Sequence, residues 1–174
     1  VYEKEIDELT FDFENSCENI CPSISFLEIK ISDNIDEYKP YLENYFKNFK
    51  LNKTNFFADV SNYLSYEIGQ PTHCYDRKSI KSTLVLEELD CNSKFKTLLG
   101  NEISLNGKNY VFTLGNDIVN LAGVMGGLST SCSPKTREAL VECAFFEPES
   151  IIGKSQKYNL VSDAAFKFER GVDI

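Results

Sequence analysis

The sequence predicts an α+β fold, a mostly antiparallel sheet flanked by helices. Three observations indicate this class. Apolar residues recur at helical spacing before residue 70 and again near the end of the chain. Short strand-like runs fill the region from residue 83 onward, and two of them are separated by Asn106-Gly107, a pair typical of hairpin turns. The 174 residues are enough for one domain with its own core.

One strand and two helices are predicted for the first half of the chain. Residues 23–31, SISFLEIKI, nearly alternate and favour a strand. A helix is expected next, with Asp33 or Asp36 near its N-terminus, because six apolar residues follow at helical spacing. These six are Tyr38, Tyr41, Leu42, Tyr45, Phe46 and Phe49. A second helix is predicted over residues 59–68 and is expected to end at Gly69.

Short strands and then helices are predicted for the second half. The runs TLVLEEL, FKTLL, EISL and YVFTL favour strands between residues 83 and 114. Further strands are expected at 117–122 and at 139–146, ALVECAFF. A helix over 148–157 begins with a proline, and AAFKFER predicts the last helix.

Composition excludes several functional classes. A hydrophobic content of 42% with 26% charged residues is typical of a soluble globular protein. No apolar run approaches the roughly 20 residues of a membrane helix. The acidic first residues do not resemble a signal peptide, so the cytoplasm is the expected location and no membrane partner is expected. The net charge of −9 predicts weak RNA binding unless another domain holds the RNA.

The six cysteines are scattered without a CxxC pair. They are Cys17, Cys21, Cys74, Cys91, Cys132 and Cys143. Because His73 is the one histidine, the spacing disfavours a zinc site and no metal ligands are predicted. Free buried or half-buried thiols are the simpler interpretation.

Two side chains are candidates for chemistry, each with a structural alternative. His73 follows Gly69 and Pro71, so we expect it on a rigid loop, where an imidazole could orient water; a structural histidine is the alternative. Glu142 stands in the apolar run LVECAFF, and alternation places it on the face of Leu140. A carboxylate there either serves a ligand or pairs with a nearby cation.

The run LAGVMGGLSTSCS, residues 121–133, contains almost nothing larger than Met. Gly126 and Gly127 could expose backbone N–H groups to a ligand beside a small cavity. A tight turn or bulge that needs glycine is the alternative. Ser61-Asn62 and Ser162-Asp163 are both natural helix N-caps.

These stretches, in this order, resemble the B3/B4 region of the β subunit of bacterial phenylalanyl-tRNA synthetase. The matching sequences are DVSNYLSYEIGQPTHCYD (59–76), LAGVMGG (121–127), LVECAFFEPESI (140–151) and SDAAFKFERGVD (162–173). The resemblance covers about residues 17–174, which gives a B3/B4-like editing domain preceded by an acidic N-terminal segment, residues 1–16. The chain reads as a segment of a longer polypeptide.

The resemblance implies an editing site that hydrolyses tyrosine wrongly esterified to the phenylalanine tRNA. It implies catalytic positions at His73, Asn62 and Ser61. Glu142 would sense the tyrosine hydroxyl, since a phenylalanine side chain would leave the carboxylate unpaired at a cost of roughly 1 to 3 kcal/mol. Water held by His73 and Asn62 would attack the ester.

The remaining substrate-binding positions are Gly126, Gly127, Ser162 and Ala164. The backbone N–H groups near Gly126 would support the oxyanion. The chain departs from the common family pattern at several positions: Ser replaces Thr at 61 and 162, and HCYD stands where HAFD is commoner.

The implied partners are the 3′ end of tRNA(Phe) with its aminoacyl group and the synthetase α subunit. No cofactor is expected in this domain, because ATP and magnesium would serve the synthetic site elsewhere in the enzyme. Two alternatives stay open: a non-catalytic scaffold or tRNA-interaction module of the synthetase, and a free-standing B3/B4-type binding protein.

Overall fold

A computed structural model of the chain describes residues 10–33, 35 and 37–172. Their strands form two sheets rather than one, with helices packed around them. The predicted α+β class is confirmed. Asp36, expected near the N-terminus of the first helix, lies outside the described residues.

The larger sheet has five strands in the order β1-β4-β5-β6-β7. Their bounds are β1 Phe13–Asn15, β4 Leu84–Lys96, β5 Glu102–Leu114, β6 Asp117–Leu121 and β7 Met125–Gly126. β1 pairs with β4 in parallel and the other pairs are antiparallel. The end of the acidic N-terminal segment is therefore built into this sheet through β1.

The smaller sheet is antiparallel, with β8 at its centre. Its strands are β2 Ser23–Lys30, β3 Thr72–Asp76 and β8 Glu138–Phe145, in the order β2-β8-β3. The strand predicted at 23–31 is confirmed, as is the strand predicted at 139–146. The register of β3 on β8 places His73 directly opposite Glu142.

The helices are α1 Pro40–Phe49, α2 Phe56–Ile68, α3 Pro148–Ile151, α4 Lys154–Lys157 and α5 Asp163–Phe168. Both predicted helices of the first half are confirmed, and α2 ends at Gly69 with φ +80°. The single helix predicted over 148–157 is instead two short helices, because Gly153 interrupts it with φ +79°. α1 begins at Pro40 with Lys39 at the cap position and no side-chain cap, so Asp33, expected near the N-terminus of this helix, does not cap it.

The core lies between the two sheets. Phe13 of the larger sheet contacts Phe26 of the smaller sheet, with ring centroids 4.7 Å apart. Tyr75 and Phe112 extend this contact, with ring centroids 6.4 Å apart, and both are fully buried. β3 alternates between two environments: its odd residues face the larger sheet, whereas Thr72 and Cys74 bond with α2.

Two local predictions are wrong. Asn106-Gly107 does not turn the chain: it lies inside β5 and pairs with Asn92 and Cys91 of β4. The hairpin instead turns at residues 97–101, and FKTLL divides between the end of β4 and this turn. Ser61-Asn62 is not a cap, because it lies within α2, whose cap is Asn55.

Candidate functional site

His73 and Glu142 meet where the smaller sheet faces the larger one. His73 lies on strand β3 rather than on the predicted loop, and Glu142 lies across from it on β8. Directly opposed residues project from the same face of a sheet with their Cβ atoms about 5 Å apart. Glu142 is 5% exposed, which confirms that its side of β8 is the buried side.

Tyr75 hydrogen-bonds the Glu142 carboxyl. Its hydroxyl donates to Oε2 of Glu142 over 2.6 Å and accepts from Nδ2 of Asn120 over 2.8 Å. Tyr75 and Asn120 are 0% and 4% exposed, so the whole chain of hydrogen bonds is buried. The buried side of β8 next to Glu142 therefore contains a phenol of the protein itself.

Sequence reasoning missed Tyr75 and Asn120 as members of this site. The signal for Tyr75 was present, because alternation puts residues i and i+2 on one face of a strand, and Tyr75 is two residues from His73. Asn120 stands between Val119 and Leu121 in the apolar run of β6, where an amide is as conspicuous as the carboxylate in β8. Neither residue could be connected to Glu142 without knowing how the sheets pack.

Gly126 gives the His73 ring the room it occupies. A Cβ built on Gly126 would lie 2.2 Å from Cε1 and 2.8 Å from Nε2 of His73, closer than atoms can approach. Gly126 has no positive φ, so close approach rather than a turn explains this glycine. The ring also meets Tyr75 edge-on, with centroids 4.4 Å apart.

Nε2 of His73 is buried and has no hydrogen-bond partner. Burial lowers the pKa of His73 from 6.5 to about 4, so the imidazole is neutral at pH 7. A neutral ring nitrogen can accept a hydrogen bond from water or a ligand. Buried polar atoms without partners are rare and call for an explanation, and a site for a ligand or water is one.

The pKa of the Glu142 carboxyl is shifted in the opposite direction to that of His73. Burial raises its pKa from 4.5 to about 7, and the hydrogen bond from Tyr75 acts against this rise. Among the described residues no cation pairs with Glu142, so the structural alternative of a buried ion pair is not what is seen. Near neutral pH the carboxyl can gain or lose a proton.

The other glycines of the run have structural roles. The N–H of Gly127 donates to the carbonyl of Val119 over 2.8 Å. The prediction that this N–H is exposed to a ligand is therefore wrong. A Cβ on Gly127 would also lie 2.5 Å from the same carbonyl oxygen. Gly123 turns the chain between β6 and β7 with φ +68°.

Ser61 and Asn62 are not brought beside His73. Ser61 Oγ donates to the Thr72 carbonyl and shares a hydrogen bond with Thr72 Oγ1, both over 2.7 Å. Thr72 projects from the face of β3 opposite to His73, so Ser61 ties α2 to the back of the strand. Asn62 is exposed on α2 and forms no hydrogen bond with His73.

Ser162 supports the glycine run, and Ala164 follows Ser162 at the start of α5. Ser162 is the predicted N-cap of α5, since its Oγ accepts from the N–H of Ala165 over 3.1 Å. The same Oγ donates to the carbonyl of Val124 over 2.5 Å. Ala164 is half-buried against the core. Ser162 therefore lies next to the run that carries Gly126.

A cavity of about 200 Å³ lies elsewhere, beside the start of α2, and none of the predicted site residues lines it. Its walls include Tyr38, Lys53 and Pro134. All six cysteines are free, as predicted. In the described part of the chain, no three His, Cys, Asp or Glu residues are grouped so that they could hold a metal ion.

Comparison with known proteins identifies the family. Residues 20–174 match the family model described as "B3/4 domain". The chain belongs to the B3/4 domain family. The crystal structure of an N-terminal fragment of the phenylalanyl-tRNA synthetase β subunit from Pyrococcus horikoshii has a similar fold, with a TM-score of 0.57 over 83% of this chain and 46% of that one. Its identity of 9% supports the fold alone.

Curated relatives of this B3/4 domain carry the name phenylalanine–tRNA ligase β subunit. The Zymomonas mobilis protein is 36% identical over 120 residues, which are 69% of this chain and 15% of that protein. The Burkholderia pseudomallei protein is 40% identical over 116 residues, or 67% of this chain and 14% of that protein. This B3/4 domain thus spans about a seventh of their length. None of its described helices is long and apolar enough to cross a membrane.

Proposed function

We propose that this B3/4 domain is the editing domain of a phenylalanyl-tRNA synthetase β subunit and hydrolyses the tyrosyl ester of tRNA(Phe). The unpartnered Nε2 of His73, enclosed against Gly126 and across from Glu142, is the observation that carries the proposal. This arrangement places a nitrogen that can bind water and a carboxyl on the same face of the smaller sheet. The names of the relatives support the synthetase β subunit as the parent protein.

The reaction needs little beyond placement of water, because an aminoacyl ester is already activated. Nε2 of the neutral imidazole accepts a hydrogen bond from the water. The water oxygen bonds to the ester carbonyl carbon, the bond to the ribose oxygen breaks, and a proton ends on that ribose oxygen. Positioning of the water, helped by the neighbouring ribose hydroxyl, supplies the acceleration.

Discrimination depends on Glu142. The tyrosine hydroxyl donates to this carboxyl, whereas a phenylalanine side chain offers no donor and leaves the buried group without a second partner. A pocket built for phenylalanine excludes a ligand with one added hydroxyl by only about a hundredfold, so a second site that requires the hydroxyl is useful.

The partners follow from the same proposal. The net charge of −9 disfavours a phosphate backbone, so the body of the tRNA would be held by the α subunit and by other domains. Only the 3′ end with its aminoacyl group would reach this domain. ATP and magnesium would serve the synthetic site elsewhere, and the cytoplasm is the expected location.

The test is deacylation of tyrosyl-tRNA(Phe) and phenylalanyl-tRNA(Phe) by the full-length protein with its partner subunit. We expect His73→Ala to slow tyrosyl ester hydrolysis about tenfold or more, because water loses its acceptor. Glu142→Gln should reduce the preference for the tyrosyl ester. Glu138→Gln is the matched control: it lies on the same strand, is half-exposed, pairs with Lys30, and should change neither rate.

A non-catalytic scaffold is the second candidate. Two observations favour it: Tyr75 already donates to Glu142, and Asn62 lies on the exposed surface of α2. If the unmodified protein deacylates neither ester above the rate in buffer, the scaffold is correct and the editing proposal is wrong.

A further inference from the structure

The buried phenol beside Glu142 has a place in substrate selection. Tyr75 is fully buried, and its hydroxyl both donates a hydrogen bond to Glu142 and accepts one from Asn120. Oε1 of Glu142 accepts no hydrogen bond from the described residues, so the two carboxyl oxygens have different environments. One oxygen is fixed by the protein and the other is available.

We propose that Tyr75 is a positioning residue of the editing site: held by Asn120, its hydroxyl fixes Oε2 of Glu142 and leaves Oε1 as the acceptor for the substrate hydroxyl. This inference rests on the proposed function. Tyr75 touches neither the ester nor the water, since it acts through Glu142.

The geometry supports fixation rather than chance contact. Carboxyl torsions of Glu are broad, so an unsupported carboxyl samples many directions. A charge-assisted bond of 2.6 Å from a donor that is itself held in place restricts this rotation. The amide of Asn120 supplies the second anchor from the opposite sheet, so the direction of Oε1 depends on how the sheets pack.

The bond also favours the ionised carboxyl. A hydrogen bond donated to a carboxylate lowers its pKa, and Tyr75 acts in this direction on Glu142 against the effect of burial. Among the other titratable groups, His73 lies directly opposite Glu142, and the thiols of Cys21, Cys74 and Cys143 are near enough for the charge of Glu142 to raise their pKa. At pH 7 His73 is neutral and the pKa of each of these thiols is raised, so the thiols are uncharged too and Tyr75 is the donor that favours the charge.

The decisive variant is Tyr75→Phe, which keeps the ring and removes the hydroxyl. Tyr38→Phe is the matched control, because the Tyr38 hydroxyl also donates to a buried carboxylate, Asp59, over 2.6 Å, but away from the site. In the full-length protein we expect Tyr75→Phe to raise KM for the tyrosyl ester about tenfold. We expect kcat for this ester and the rate for the phenylalanyl ester to change by less than about twofold.

Asn120→Ala should shift the same KM in the same direction by a smaller factor. Adding it to Tyr75→Phe should have no further effect on KM, because both residues act through one chain of bonds. A fall in KM for Tyr75→Phe would mean that the phenol competes with the substrate, and would overturn the proposal. An equal loss of tyrosyl ester hydrolysis in Tyr75→Phe and Tyr38→Phe would mean that both residues have only structural roles.

A spectroscopic titration separates this inference from the proposed function. With ¹³C-labelled glutamate carboxyls, the Glu142 signal is assigned as the one that Glu142→Gln removes. Tyr75→Phe should raise the pKa of Glu142, whereas Tyr38→Phe should leave it unchanged. This measurement does not require activity. If the protein deacylates neither ester but the pKa of Glu142 rises in Tyr75→Phe, the proposed function fails while the control of Glu142 by Tyr75 stands. If the pKa of Glu142 is unchanged in Tyr75→Phe, the positioning role is wrong.

Discussion

Gly126 is the residue at which the site has no spare room. A methyl group there would overlap the His73 ring, with a Cβ to Cε1 distance of 2.2 Å. We therefore expect Gly126→Ala to displace the imidazole and to reduce tyrosyl ester hydrolysis about tenfold or more. Deacylation assays together with urea unfolding of the variant would check this expectation.

Gly100→Ala is the matched control for Gly126→Ala. Gly100 has φ +86° and nothing lies within 4 Å of a Cβ built on it, so alanine brings backbone strain without a clash. Gly100→Ala should cost about 1 kcal/mol of unfolding free energy and leave deacylation intact. Normal deacylation by Gly126→Ala would show that the position of the His73 ring is irrelevant to hydrolysis.

The proton on Glu142 gives a second prediction at the residue scale. Its pKa is raised to about 7 by burial, so the carboxyl ionises as the pH passes through neutrality. A carboxylate accepts the tyrosine hydroxyl more strongly than the protonated acid does. The tyrosyl over phenylalanyl rate ratio should therefore increase between about pH 6 and about pH 8 after subtraction of hydrolysis in buffer. In Glu142→Gln this increase should disappear; a ratio independent of pH in the unmodified protein would exclude titration of Glu142 as its cause.

Helix α2 gives a prediction at the scale of the element. Asn55 caps it: the side chain accepts from the N–H of Ala58 over 3.0 Å and donates to the carbonyl of Cys132 over 3.2 Å. Asn55→Ala should therefore lower the free energy of unfolding by about 1 to 2 kcal/mol, measured by urea denaturation. A loss below about 0.5 kcal/mol would mean that packing against β3 alone defines the start of α2.

Asn62 on the same helix serves as the comparison. Its side chain is exposed and makes no hydrogen bond with the described residues, so Asn62→Ala should change stability by less than about 0.5 kcal/mol. From its position we expect deacylation to change by less than about twofold. The resemblance instead predicts a catalytic role, and a large loss of deacylation at unchanged stability would support that role.

Element type was predictable wherever periodicity was strong, and turns were not. The stripe Tyr38 to Phe49 and the run 23–31 contain enough apolar repeats to identify a helix and a strand. Asn106-Gly107 wrongly predicted a hairpin turn, because the pairing of β5 with β4 overrides the local preference of these two residues for a turn. The Asn109 side chain donates to the carbonyls of Asn106 and Gly107, and Gly107 has φ +63° within the paired strand.

For the whole molecule, the pKa shifts of His73 and Glu142 have opposite effects on how the free energy of unfolding depends on pH. The pKa of His73 falls from 6.5 to about 4, so the unfolded chain binds more protons in this window and stability rises with pH there. The pKa of Glu142 rises from 4.5 to about 7, so the native protein binds more protons and stability falls as pH rises through that window. Where the windows overlap, the contributions of these two groups oppose each other.

Single variants should separate these two slopes. In Glu142→Gln the contribution of His73 remains, so stability should increase more steeply between pH 4 and pH 6.5 than in the unmodified protein. In His73→Asn the contribution of Glu142 remains, and stability should decrease more steeply from pH 4.5 to pH 7. Urea unfolding across this range measures both slopes. Equal slopes in all three proteins would mean that the two groups titrate alike in the folded and unfolded chains.

The sequence alone determined the class of the fold, most strands and helices, and the unusual carboxylate of β8, because periodicity and burial are local properties. The tertiary structure decided which groups meet. Tyr75 reaches Glu142, Asn120 reaches Tyr75, and Ser61 lies behind the strand that presents His73. The first two contacts depend on sheet register and on the packing of two sheets, which join residues 45 and 67 positions apart and leave no periodic trace in the chain.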